Sequence, residues 1–106
     1  PIADFNLVRK AAELCEKEGV NFKVGNILSS DVFYDDANSG MTWAKMGVLG
    51  VEMESAALYC NAARAGKSAL CICTVSDSFV NPSENTTAEE RQNSFIAMMK
   101  IALELA

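Results

Sequence analysis

Histidine is absent from the 106 residues. That excludes the Ser-His-Asp and Cys-His arrangements that activate a nucleophile, and it removes the imidazole on which most zinc sites depend. Cationic runs are missing as well: nine Lys and Arg stand against fourteen Asp and Glu, a formal net charge of −5, so nucleic acid and anionic membranes are poor partners. The apolar stretches break well short of the roughly 18 residues of a membrane-spanning helix, and no basic segment with a cleavable apolar core opens the chain. A soluble, cytoplasmic protein is expected. Glycines 19, 25, 40, 47, 50 and 66 form neither a GxGxxG nor a Walker pattern. Cys15, Cys60, Cys71 and Cys73 fit no CxxC or zinc-knuckle spacing, which predicts four reduced thiols acting as small buried hydrophobes, with no bound metal. There is no initiating Met; the chain opens on Pro1, as a fragment or processed piece would.

Half of the residues are hydrophobic and 22% are charged, the composition of one globular domain over residues 1–106. Residues 2–17 carry Phe5, Val8, Ala12 and Cys15 on one face of an amphipathic helix that Gly19 ends. Residues 22–28 read as a short strand in which Gly25 would weaken the ladder or mark a bulge, and residues 31–40 as a loop. A weakly helical stretch is expected over 43–49, the end of a strand over 50–54, and a helix over 55–65 stopped by Gly66. Ser68 to Ser76 is nearly all apolar or β-branched, which predicts an interior strand covered on both faces, with Cys71 and Cys73 on one of them. Thr86 and Thr87 are alternative caps for a final helix whose apolar face holds Phe95, Met98, Met99, Ala102 and Leu105. This alternation is that of an α/β fold.

In such folds ligands sit beyond the carboxyl ends of the strands. Ser76 and Asp77 fall there. An Asp at the tip of a buried strand is either a partly desolvated general acid or the cap of a turn or helix. Glu52 and Glu54 would share one face if both lay on a strand and could then accept from the vicinal hydroxyls of a ribose; otherwise they are acids of a helix's first turn. Arg91 is either a surface partner of an acid such as Glu84 or a functional cation. Phe33 and Tyr34 could stack on a heterocycle or cover a core edge.

Four segments together resemble the hexameric, bacterial-type purine nucleoside phosphorylases: Val24 to Tyr34, Gly50 to Tyr59 (GVEMESAALY), Cys73 to Asp77 (CTVSD) and Thr86 to Gln92 (TTAEERQ). The match runs from about Ile2 to Ala106 and corresponds to the C-terminal half of that family's chain, with the N-terminal half absent. It implies part of a three-layer α/β/α nucleoside phosphorylase fold. It further implies reversible phosphorolysis of purine (deoxy)ribonucleosides to purine base and (deoxy)ribose 1-phosphate, with inorganic phosphate as co-substrate and no cofactor. On this resemblance Asp77 matches the acid that protonates purine N7, and Arg91 the Arg that moves toward it. Met53 and Glu54 match ribose contacts, with Glu52 in the same segment. Phe33 matches the aromatic that packs on the base, and Val51 and Ser76 line the base pocket. The expected partners are a purine nucleoside, the missing half of the same domain, and further copies in a hexamer built as a trimer of dimers. The family's phosphate-binding Gly and Arg residues have no counterpart here, so the isolated chain is expected to be inactive and stable only with its other half. A uridine phosphorylase, a water-using nucleosidase and a non-catalytic packing fragment are the alternatives.

Overall fold

Asp4 starts the first helix by accepting a hydrogen bond from the Leu7 amide at 3.0 Å, which satisfies one of the free N–H groups of a helix's first turn. The computed structural model describes residues 1–106, except for the side chains of Asn93 and Ser94. Its elements are α1 (Phe5–Glu18), β1 (Ile27–Ser29), α2 (Ser39–Lys45), β2 (Gly50–Glu52), α3 (Ser55–Arg64), a 3-10 turn (Pro82–Glu84) and α4 (Ala88–Leu105). They fall into two compact units, one of Pro1–Ala3 with Val24–Cys71 and one of Asp4–Lys23 with Ile72–Ala106.

In the second unit α1 packs against α4. Leu7, Val8, Ala11, Ala12 and Leu14 are half-buried on α1 and Cys15 is buried. Phe5, expected on the same face, is instead 75% exposed at the first helical position. Gly19 ends α1 with φ +66°, its amide bonded back into the last turn, a left-handed step that costs glycine little. α4 opens on Thr87, which accepts from the Glu90 amide at 3.2 Å while the Glu90 carboxylate accepts from the Thr87 amide at 2.7 Å. Of the two expected capping pairs, the box forms at Thr87 and Glu90. The face α4 turns inward runs Phe95, Met98, Ile101, Leu105, with Ile101 3% exposed. This corrects the expected stripe. Met99 is 49% exposed and Ala102 is exposed: the inward line runs by two steps of three from Phe95 through Met98 to Ile101 and then by one of four to Leu105.

The first unit is built on a β1–α2–β2 crossover. β1 and β2 are parallel, with Ile27 opposite Gly50, Leu28 opposite Val51 and Ser29 opposite Glu52. Flanking bonds extend the pairing, Leu49 N–H to Asn26 O and Ser30 N–H to Glu52 O, both 2.9 Å. The ladder starts later than the sequence suggests, and Gly25 marks a close approach: a Cβ there would stand 2.7 Å from Leu49 Cδ1. α2 begins at Ser39, inside the expected loop, because the Asp35 carboxylate accepts from the Gly40 amide at 2.8 Å and the Ser39 hydroxyl at 3.1 Å. Those bonds, the Gly40 amide first, hold the Asp35 carboxyl below its ordinary range.

The interior strand expected over 68–76 is not found. The single ladder among the described residues joins β1 and β2, and a strand needs a neighbour's amides and carbonyls beside it. The stretch nevertheless has the two-residue alternation of an extended chain: Ile72, Thr74 and Ser76 are half-buried, Cys73 and Val75 exposed. One face is open, with Val75 77% exposed. The thiols are corrected with it, since Cys15 alone is buried while Cys60 and Cys73 are exposed and Cys71 is intermediate.

Candidate functional site

Ser76 and Asp77 end the extended stretch, and the chain after them is folded back by a set of short bonds. Ser76 O accepts from both the Thr86 amide (2.8 Å) and the Thr86 hydroxyl (2.7 Å). Asn85 Oδ1 accepts from the Ser78 amide at 2.7 Å, and Ser78 Oγ accepts from the Asn81 amide at 3.0 Å. The loop is therefore closed at its neck, and Thr87, the N-cap of α4, directly follows the clamp. Arg91 lies in the first turn of that helix and brings Nη1 to 3.9 Å from Asp77 Oδ2. Ser76 Oγ donates to the same oxygen at 2.8 Å. The side chains of Arg91 and Asp77 are 41% and 47% exposed. The desolvated Asp that a buried strand tip would give is thus replaced by a carboxylate open to solvent beside a cation. Nor does Asp77 cap the following helix, a role taken by Thr87. Thr86 and Asn85 hold this neck, a role that the sequence does not signal: it offers Thr86 as a rival cap and as the first residue of the fourth resembling segment.

In the other unit, β2 ends at Glu52 and α3 starts at Ser55. Glu54 is the N-cap residue, with φ −124° and ψ −23°, so Glu52 and Glu54 do not lie together on a strand face. Their carboxylates differ sharply in use. Glu52 Oε2 accepts from the Glu54 and Ser55 amides, both at 2.7 Å, and Oε1 accepts from the Ser55 hydroxyl at 2.5 Å. Burial would raise the Glu52 pKa, but the Ser55 side chain, the two amides and Ser29 outweigh it, leaving the carboxyl below its ordinary value of 4.5. Glu54 is exposed, and its Oε2 accepts one bond, from the Met53 amide at 3.3 Å.

The remaining sequence candidates of this unit are open to solvent. Val51 is 43% and Met53 39% exposed. Phe33 and Tyr34 form an edge-to-face pair, centroids 5.1 Å apart and planes at 81°. At 76% and 79% exposure, these rings do not cover a core edge. The structure thus joins Ser76, Asp77 and Arg91 in one unit and places Phe33, Val51, Glu52, Met53 and Glu54 in the other. No cluster of His, Cys, Asp and Glu suited to a metal ion occurs among the described residues.

A family model described as the phosphorylase superfamily matches residues 1–106. The DeoD-type purine nucleoside phosphorylase of Clostridium novyi is 53% identical over 107 residues, covering 100% of this chain and 46% of the relative. The proteins of the same name from Caldanaerobacter subterraneus and Geobacillus kaustophilus are 55% and 51% identical, over 46% and 44% of their lengths. The chain thus spans about half the length of the curated relatives it matches.

Proposed function

The chain belongs to the phosphorylase superfamily, and we propose that the protein containing it cleaves purine (deoxy)ribonucleosides with inorganic phosphate, yielding the free base and (deoxy)ribose 1-phosphate. One observation carries this reading: a carboxylate at the tip of an extended segment, with a guanidinium 3.9 Å away on the first turn of the next helix. Asp77 delivers a proton to the purine N7, so that the base departs neutral rather than as an anion. Arg91 approaches as α4 shifts and favours the charged carboxylate, which drives the proton onto the base. In the first unit Glu54 accepts from the 2′- and 3′-hydroxyls, Met53 packs on the sugar, and Phe33 and Val51 are base contacts; in the second, Ser76 is a base contact. Phosphate is the co-substrate and no cofactor is required. The names and identities of the relatives support this chemistry.

The rest of the domain, by this reading, covers the apolar side chains that stand open here, among them Ile2 (87%), Val75 (77%) and Leu103 (76%). The whole protein works in the cytoplasm as a hexamer, a trimer of dimers, and the 106 residues alone do not turn over. No described helix is long and apolar enough to cross a membrane. The test is an assay of the full-length protein with inosine, adenosine, uridine and methylthioadenosine, with and without phosphate. Purine release that requires phosphate is expected. Cleavage of uridine, or cleavage in the absence of phosphate, would replace this reading with the related uridine phosphorylase or nucleosidase chemistry.

A further inference from the structure

An ionised carboxylate offers about four acceptor positions, two on each oxygen. Glu52 has three filled by donors of its own unit, the Glu54 amide, the Ser55 amide and the Ser55 hydroxyl, and the neighbouring Ser29 hydroxyl further favours its charged form. The strand register causes this. Ser29 and Glu52 are paired positions at the end of the parallel ladder, so their side chains project to the same side of it. Ser29 Oγ also accepts from the Ala56 amide at 3.2 Å. The amides of Glu54, Ser55 and Ala56, which a helix start leaves without intrahelical partners, are thereby satisfied by Glu52 and Ser29 together. Ser55 is 4% exposed, which seals the junction. By contrast the Glu54 carboxylate is exposed and holds a single bond from the Met53 amide.

We propose that Glu52 is a positioning residue that fixes the β2–α3 turn and so aims the Glu54 carboxylate at the sugar, without itself touching the substrate. Glu52 clamps the amide of the very residue whose side chain does the binding. Without that clamp, Glu54 samples other backbone conformations and the sugar loses its acceptor. The inference rests on the proposed nucleoside chemistry for its kinetic readout and separates Glu52 from the ribose contacts.

Two substitutions distinguish positioning from contact. In Glu52→Gln, the amide oxygen can take the two backbone N–H groups while the NH2 donates to Ser55 Oγ, so the three bonds survive. Full-length Glu52→Gln should keep kcat/KM for inosine within about threefold of the parent, whereas Glu52→Ala should raise KM by about tenfold or more. With 2′,3′-dideoxyinosine, which offers Glu54 no hydroxyls, the alanine effect should shrink to about threefold or less. Amide exchange at Glu54 and Ser55, which needs no substrate, should quicken by about tenfold or more in the alanine variant but not in the glutamine one. A loss in Glu52→Gln as large as in Glu52→Ala would make Glu52 a direct ribose ligand and overturn the proposal. So would equal losses with both substrates, or unchanged exchange in Glu52→Ala. If the parent lacks phosphorolysis, the functional reading fails by itself and the exchange measurement still decides the clamp.

Discussion

By the proposed mechanism, removing the guanidinium in Arg91→Ala should cost the full-length protein far more in rate than in stability. In the open arrangement two unit charges 3.9 Å apart attract by about 1 kcal/mol in bulk water. With both side chains more than 40% exposed, the net value falls within the range of about 0.2–1 kcal/mol found for surface pairs. In a closed, water-excluded site, contact at about 2.8 Å and an effective dielectric of about 20 would give about 6 kcal/mol before desolvation is subtracted. Only the difference between the two states accelerates the reaction. If desolvation cancels half of it, about 2–3 kcal/mol remains, equivalent to about a hundredfold in kcat. Steady-state kinetics on inosine and a thermal melt of the full-length protein measure the two effects side by side. A kcat within about threefold of the parent would refute the proton-driving role. A double variant adds a sharper condition: in an Asp77→Asn background the loss of Arg91 should cost less than about threefold, since the group it acts on is gone. Independent, multiplicative losses would show that Arg91 works on something other than Asp77.

Ile101→Ala should destabilise the unit by about 2–5 kcal/mol, because Ile101 is the most deeply buried apolar residue of α4, whereas Met99→Ala on the open side should cost less than about 1 kcal/mol; equal urea midpoints would contradict the inward face described. The carboxyls of Glu52 and Asp35 are both held below their ordinary values of 4.5 and 3.8. Groups with depressed folded values add stability above the unfolded value and lose it as pH falls through the folded one. Urea midpoints should therefore be level above about pH 5 and decline below the ordinary carboxyl range, and the gap between the parent and Glu52→Gln should narrow on acidification. A stability that rises as pH falls from 5 to 3 would have the wrong sign.

Local signals in the sequence reached the elements that complete themselves. Gly19, Gly66 and the Thr87–Glu90 box depend on bonds within one or two turns, so residue type and spacing were enough to find the two glycines and to narrow the box to two neighbouring pairs. The parallel pairing of β1 with β2 needs a partner 23 residues away, and nothing in the residues 27–29 by themselves announces it. The stretch 68–76 failed in the opposite direction. Its apolar, β-branched composition predicts a covered strand, but composition states what a segment would do beside neighbours and not whether they are present.

The two acidic positions at the β2–α3 junction show the same limit at the level of chemistry. Spaced as i and i+2, Glu52 and Glu54 were equivalent in the sequence, and one placement on a strand would have aimed both at a single ligand. The structure separates them, because the ladder stops at Glu52 and the backbone turns before Glu54. What decides their roles is the supply of donors around each. Glu52 stands beside Ser29 through strand register and meets the start of the next helix through the turn, and spends three of its acceptor positions there. Glu54 stays exposed with capacity to spare. A carboxylate's availability to a ligand is set by what the fold has already given it to accept, and that accounting needs the register of a strand about two dozen residues away.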